Sequence, residues 1–253
     1  MEAKLTLVGA GPGNADLITL KGIKALQSAD VVLYDELANA ELLDYAPEHA
    51  LKMYVGKKAG DASFSQDEIN GLIVRLARKR GHVVRLKGGD AFVFGRGHEE
   101  MEYARNHQIA VEIVPGVSSC IAVAESMEIP VTRRGVSESF WVITATTRHG
   151  ELSEDLRLAA QSKATVVVLM GLSKLGEICD LYKHFGRGHL PMAVIQNGTR
   201  PEEKSVMGQV WEMPHLVREN NIGSPAIIIL GEVVALHPVY ALEYVYSLQS
   251  ELI

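Results

Sequence analysis

Apolar residues along this chain follow two rhythms. Short apolar runs stop at glycines or polar clusters, and longer stretches repeat apolar positions every three or four residues. Residues 4–8, KLTLV, form the first run and end at Gly9, which predicts a buried strand entering a turn. Runs at 31–34 (VVLY), 83–86 (VVRL) and 110–114 (AVEIV) predict three further strands. Thr19 predicts the cap of a helix over about 20–29, with Leu20, Ile23, Ala25 and Leu26 turned inward. Ser65 and Glu68 have capping-box spacing, and Ile69, Leu72, Ile73 and Leu76 follow at helical intervals. A polar helix is predicted over 97–107. Strands alternating with helices predict a largely parallel sheet.

Pro115-Gly116 breaks this pattern and divides the chain into an N-terminal α/β domain over 1–114 and a C-terminal α/β domain over 115–253. Beyond the break a small-residue helix is predicted over about 118–126. Strands are predicted over 140–144, 165–169, 192–196 and 226–230, and helices around 153–161, 173–184 and 210–219. Segments 192–196 and 204–210 read as a hairpin-like pair, so the second sheet is expected to be mixed. No sequence repeat relates the halves.

Length and composition agree with this division. A chain of 253 residues suits two domains of ordinary size, and 47% hydrophobic with 22% charged residues is a soluble globular balance. The net charge of −6 argues against broad nucleic-acid binding but leaves room for a local basic pocket. Cys120 and Cys179 form no CxxC pair and no zinc-ligand spacing, and read as buried thiols in a reducing compartment. No stretch approaches the roughly 20 apolar residues of a membrane span. The N-terminus runs straight into a strand pattern, so a cytoplasmic protein is expected. None of the nine histidines falls in an HExxH pattern, and no metal is predicted.

Candidate chemistry gathers where strands end. Gly9-Ala10-Gly11-Pro12-Gly13 follows the first strand, and dense glycines let a backbone approach a ligand closely. A dinucleotide loop would read GxGxxG and open a helix. Here Pro12 intervenes, position 14 is not glycine, and the next helix starts only near Thr19, which opposes a nucleotide-dependent oxidoreductase. A close-packed loop beneath an adenosyl group without phosphates fits better. Tyr34-Asp35 ends the second strand, and Val55-Gly56-Lys57-Lys58 forms a lysine-bearing loop. The most informative stretch runs from Arg85-Leu86-Lys87-Gly88-Gly89-Asp90 through Phe92-Val93-Phe94-Gly95-Arg96-Gly97-His98-Glu99-Glu100. An acid past a strand end can accept hydrogen bonds from a ribose diol or an ammonium. Arg96, between two glycines, can reach a carboxylate. Pro115-Gly116-Val117-Ser118-Ser119, Pro130-Val131-Thr132-Arg133-Arg134-Gly135, Leu169-Met170-Gly171 and Asn197-Gly198-Thr199 complete the set. The paired arginines suit an anionic substrate.

Taken in order, GAGPG, LYDEL, VGKK, RLKGGDAFVFGRGHEE, VPGVSS, PVTRRG, LMGL and QNGT resemble the tetrapyrrole methylases, and within them the uroporphyrinogen-III C-methyltransferases, over roughly residues 4–234. The resemblance implies two α/β domains with mostly parallel or mixed sheets, a cofactor in the trough between them, and a homodimer. It implies S-adenosylmethionine-dependent methylation of uroporphyrinogen III at pyrrole carbons 2 and 7, giving precorrin-2 for sirohaem- and cobalamin-type synthesis. The alternative is another precorrin methylase of the same superfamily. Pro12, Gly88, Gly89, Asp90, Val93, Ser118, Ser119, Met170 and Gly198 match cofactor-contact positions. Asp35 and Lys57 match positions with proton-transfer roles. Arg96, Glu99 and Arg134 match positions that handle the tetrapyrrole, with Arg96 also a possible base. The ordinary pKa of arginine, above about 12, favours Arg96 as an anchor and Asp35 as the proton acceptor. Arg96, Arg133, Arg134 and Arg148 would make a basic wall for the substrate's carboxylates. Ala91, His98 and Arg133 stand where the family pattern leads us to expect Pro, Gly and His.

Overall fold

Residue parity along the strands organises the first sheet. The computed structural model describes residues 2–56, 64–147 and 149–240. The chain divides into two units, Met1–Ser119 and Cys120–Ile253. In the first, strands β1 (Lys4–Gly9), β2 (Val31–Tyr34), β3 (Leu51–Tyr54), β4 (His82–Lys87) and β5 (Ala110–Val114) form a sheet of order β3-β2-β4-β1-β5. Every pairing in it is parallel. Leu5, Leu7, Val31, Leu33 and Val83 face one side, where they pack on helices α2 (Gln66–Arg80) and α3 (Gly97–Asn106). Val8, Val32, Val84 and Leu86 face the other side, against Leu26 of helix α1 (Leu20–Gln27). Burial on both faces is why these strands read as continuous apolar runs.

The local signals at helix starts hold. The Thr19 side chain accepts from Gly22 N at 3.1 Å, and Ser65 and Glu68 close a capping box. Leu20, expected to face inward, is instead 78% exposed. It occupies the first helical position, and the face against the sheet is set by the buried Gly22 and Leu26. Strand β3 was not among the expected strands. It lies at the sheet edge with only partial burial, so LKMY lacks an apolar run.

The second unit contains helix α4 (Ser119–Ser126), which starts at the division, then strand β6 (Phe140–Thr144), helix α5 (Asp155–Ala159), strand β7 (Thr165–Leu169) and helix α6 (Leu175–His184). Strands β8 (Pro191–Gln196) and β9 (Lys204–Gln209), helix α7 (Met213–Glu219) and strand β10 (Ala226–Leu230) follow. The sheet order is β6-β7-β10-β8-β9. Strands β6 and β7 are parallel, whereas β10 runs antiparallel to β7 and β8, and β9 antiparallel to β8. The hairpin-like pair and the mixed sheet are as the sequence predicts. Helices α5 and α7 are shorter than predicted.

Residues 115–119, which the sequence groups with the second domain, belong to the first unit. Gly116 N donates to Asp90 Oδ2 at 2.9 Å and ties this segment to the end of β4. Among the described residues, no helix is long and apolar enough to cross a membrane, and no cluster of His, Cys, Asp and Glu could hold a metal ion. Cys120 and Cys179 are both buried thiols.

Candidate functional site

Strands β1 and β4 are neighbours, and the helices that follow them lie on opposite faces, α1 on one and α3 on the other. A crevice opens at the carboxyl ends of such strands, because the two connections diverge there. Three glycine-containing loops are stitched together at this point. Ala10 N donates to Lys87 O at 2.7 Å, and Gly11 and Gly89 exchange backbone hydrogen bonds of 3.2 and 2.7 Å. A Cβ on Gly9 would sit 2.6 Å from Gly116 Cα and 2.7 Å from Gly89 O, so only glycine lets these backbones meet. Gly89 has φ +65°, and the nearest atom to a Cβ added there is Ser119 N at 3.8 Å. One side of this turn is therefore bare backbone with space above it.

Asp90 completes the platform. Its carboxylate accepts from Phe92 N at 2.8 Å and from Gly116 N at 2.9 Å. Each carboxylate oxygen carries a second lone pair, so the group can brace the loops and still accept from a ligand. Gly88 backs onto Leu37, leaving no room for a side chain. Leu37, Phe92 and Phe94 are large apolar side chains left substantially exposed in this unit. The sequence reading gave Leu37 no role; its signal is an apolar residue among the polar residues of the loop after β2. His98 lies edge-on to Phe92, with ring centroids 6.3 Å apart.

Positive-φ residues separate ordinary caps from special sites. Gln108, Glu128 and Asn221 each follow a helix, and in each case the next residue, Ile109, Ile129 or Ile222, donates back to the helix and is buried. This is the usual left-handed helix stop with its hydrophobic partner. Phe94, Arg96, Met170, Asn197 and Thr199 have no such explanation. All five lie in segments singled out from the sequence. Left-handed backbone at aromatic and β-branched residues is strained, and such strain concentrates at functional sites.

Arg96 caps α3 with φ +58° and reaches forward to Glu99. Nε donates to Oε1 at 2.8 Å and Nη2 to Oε2 at 2.6 Å. The Glu99 carboxylate pushes the arginine's pKa above its ordinary value. Arg96 therefore remains a cation and is unsuited to take a proton. Asp35 lies just past β2, its side chain 24% exposed, and accepts from Arg85 Nη2 at 3.0 Å and Leu37 N at 3.3 Å. Val93 follows Asp90 in a turn closed by Val93 N on Asp90 O at 3.2 Å. Pro12 follows directly on the bridged Gly11. Lys57 and Arg148 lie outside the described residues.

The first unit thus brings together Pro12, Gly88, Gly89, Asp90, Val93, Ser118 and Ser119 on the β1, β4 and β5 ends, with Asp35, Arg96 and Glu99 in the same unit. In the second unit, β7 and β8 both run antiparallel to β10, so Met170 and Asn197-Gly198-Thr199 lie at the same end of the sheet. Met170 is 57% exposed, contrary to the core-filling role usual for a lone methionine. Gly198 sits against Val123 of α4 with no space for a side chain. Arg133 and Arg134 are exposed on a tight turn in which Arg133 and Ser137 exchange backbone hydrogen bonds of 2.9 Å.

Comparison with known proteins places this geometry. The model of the Tetrapyrrole (Corrin/Porphyrin) Methylases matches residues 4–214. The chain is 42% identical over 236 residues to the uroporphyrinogen-III C-methyltransferase of Methanocaldococcus jannaschii, covering 92% of this chain and 98% of that one. Its fold resembles that of the uroporphyrin-III C-methyl transferase from Thermus thermophilus complexed with S-adenyl homocysteine, with a TM-score of 0.79, 38% identity, and coverage of 92% and 99%. It also resembles a cobalt precorrin-4 methyltransferase, with a TM-score of 0.83, 30% identity, and coverage of 92% and 96%. The chain spans about half the length of the siroheme synthases it matches, such as that of Chromobacterium violaceum, where it covers 49% of the relative. A bare glycine platform at the β1–β4 crevice, strained loops at the expected positions and a match across most of the sequence have one common explanation: this chain belongs to the tetrapyrrole methylase family.

Proposed function

We propose that the chain transfers methyl groups from S-adenosylmethionine to carbons 2 and 7 of uroporphyrinogen III, giving precorrin-2 for sirohaem- and cobalamin-type tetrapyrroles. The observation that carries this reading is the open backbone at Gly89 beside Asp90, in a chain 42% identical to a uroporphyrinogen-III C-methyltransferase. The residues present fit the methyl donor. Gly89 offers close backbone approach with no side chain in the way, Pro12 and Gly88 flank it as proposed contacts, and Asp90 offers carboxylate acceptors. Val93, Ser118, Ser119, Met170 and Gly198 are its further proposed contacts. When bound, the donor supplies a methyl group on a positively charged sulfur.

The protein's own work is alignment and charge handling. Holding the nucleophilic pyrrole carbon in line with the methyl group and excluding water supplies on the order of 7–11 kcal/mol of the barrier reduction. Leu37, Phe92 and Phe94 offer an apolar surface for that exclusion. Arg96, fixed by Glu99, and Arg134 receive the substrate's carboxylates. Asp35 accepts the proton released as the new carbon–carbon bond forms, worth about 10²–10⁴-fold. Lys57 is the proposed second proton-transfer group. A cytoplasmic homodimer is part of the same reading, supported by the buried thiols for the compartment and by family resemblance for the assembly.

The test is anaerobic incubation with uroporphyrinogen III and S-adenosylmethionine, followed by mass analysis. A gain of two methyl groups with release of S-adenosylhomocysteine is expected. No methylation by a protein that binds the donor would overturn the substrate and favour a later precorrin. Replacing Asp35 by Asn should abolish most turnover while leaving donor binding intact; full turnover would remove Asp35 from its role.

A further inference from the structure

Two positive charges lie where the core of the first unit should be apolar. On β4, alternate residues Val83, Arg85 and Lys87 point to one face. Val83 packs among Leu5, Leu7, Val31 and Leu33, as parity requires, but Arg85 and Lys87 are 3% and 5% exposed on the same side. Glu100 of α3, 1% exposed, meets them both. Its Oε1 accepts from Lys87 Nζ at 3.0 Å, Arg85 Nε at 3.3 Å and Gln66 Nε2 at 3.3 Å, while its buried Oε2 has no partner among the described residues. Arg85 donates onward through Nη1 to Leu86 O at 3.0 Å and through Nη2 to Asp35 Oδ2 at 3.0 Å.

Removing three charged groups from water is costly, and well-packed apolar residues would usually be at least as stable. A break in the apolar pattern that stability does not require marks a functional constraint. We propose that Arg85 is a positioning residue for Asp35, and that Glu100 and Lys87 brace Arg85 from behind, so that a chain Lys87–Glu100–Arg85–Asp35 fixes the carboxylate's orientation and the charge that surrounds it. This rests on the reading of Asp35 as proton acceptor. The chain carries two positive and two negative groups, and only its Asp35 end is substantially open to solvent. Arg85 is suited to the task because its planar guanidinium holds its donors in a fixed fork and reaches both carboxylates at once. Burial, and then the neighbouring Arg85, pull the Lys87 ammonium below its ordinary range, while Glu100 opposes them. The charge on Lys87 is thus held against desolvation by Glu100.

The groups that act on Asp35 come from several elements. Arg85 and Lys87 belong to β4 and Glu100 to α3. Tyr54 of β3 donates to Glu36 Oε2 at 2.9 Å, and Tyr34 and Glu36 adjoin Asp35 in the chain. Only Arg85 contacts the Asp35 carboxylate with a positive charge among the described residues.

The experiment measures kcat against pH for Arg85→Met, Arg85→Lys, Glu100→Gln and Asp35→Asn, with KM for both substrates. Arg85→Met should lower kcat by roughly 10–100-fold, the effect of misplacing a reacting group, with both KM values little changed. Its acid limb should move to higher pH, because a carboxylate that loses its cation protonates more readily. Glu100→Gln should move the acid limb the other way, since it leaves Arg85 and Lys87 less neutralised beside Asp35. Arg85→Lys should restore part of the rate. Asp35→Asn combined with Arg85→Met should be no slower than Asp35→Asn alone, because both act through one group. Acid limbs that move together, or Arg85→Met at full kcat, would overturn the proposal. If Arg85→Met does not fold, the acid limb of Glu100→Gln still carries the sign test, and a rate for Arg85→Lys equal to that of the parent would overturn the positioning role. Full activity in Asp35→Asn would instead overturn the role of Asp35, which distinguishes the two failures.

Discussion

The Arg96 guanidinium grips both carboxylate oxygens of Glu99 at 2.8 and 2.6 Å, across a single turn at the start of α3. Both side chains are about half exposed, so the pair adds little to stability. Its consequence is orientation: the arginine plane is fixed in advance of the substrate carboxylate that it is proposed to meet. Arg96→Lys keeps the charge but loses the two-point grip. It should raise KM for the tetrapyrrole by roughly tenfold with kcat less affected, since a lost charged hydrogen bond is worth about 1.5–3 kcal/mol. The shape of the pH profile should not change. Movement of the acid limb to lower pH in Arg96→Lys, as a less basic side chain at that position would give, would restore Arg96 as a base.

Arg134 tests the proposed basic wall separately. It is exposed on the tight turn closed by Arg133 and Ser137. Arg134→Ala should raise the apparent KM for the tetrapyrrole more than that for S-adenosylmethionine. Equal changes in both would count against a substrate role.

Tyr182 gives a stability test far from this chemistry. Its ring is fully buried in α6, with the Arg187 guanidinium 6.0 Å from the ring centroid. Its hydroxyl has no hydrogen-bond partner among the described residues, and burial pushes its pKa up. An unpaired buried polar group costs about 1–3 kcal/mol. Tyr182→Phe should therefore unfold at the same or a higher urea concentration than the parent. A large loss of stability would mean that the hydroxyl is paired.

Glu112 gives a pH test. Lys21 and Lys4 hold its carboxylate at 2.8 and 2.7 Å and depress its pKa from 4.5 to about 2. A depressed carboxyl stabilises the fold above its unfolded pKa, and that contribution is lost as pH falls through the folded value. The stabilisation is thus complete above about pH 4.5 and lost towards pH 2. Solvent screening at this half-open site keeps it under about 1 kcal/mol. Glu112→Gln should lower the melting temperature slightly at pH 7, and the difference should close by pH 2. A constant difference across that range would refute the ion-pair account.

Local rules carried much of the fold. The caps at Thr19 and Ser65 depend on residues three positions apart, and the central strands are apolar because both their faces are covered. Strand β3 escaped because an edge position needs no apolar run, and Leu20 misled because one apolar residue in a first turn does not determine which face is buried. For the proposed site, glycine density and residue order pick out the loops that meet at the ends of β1, β4 and β5.

The sequence by itself determined the strand–helix alternation, the two-part layout, the family and the identities of the glycines and charged residues at strand ends. Those properties depend on neighbours along the chain or on an ordered set of motifs. Tertiary structure decided that Gly9, Gly89 and Gly116 share one contact, and that Arg85 reaches both Asp35 and Glu100. These relations join residues from different strands and helices. They depend on strand order and register, which bring distant positions within 3 Å and which no local spacing encodes.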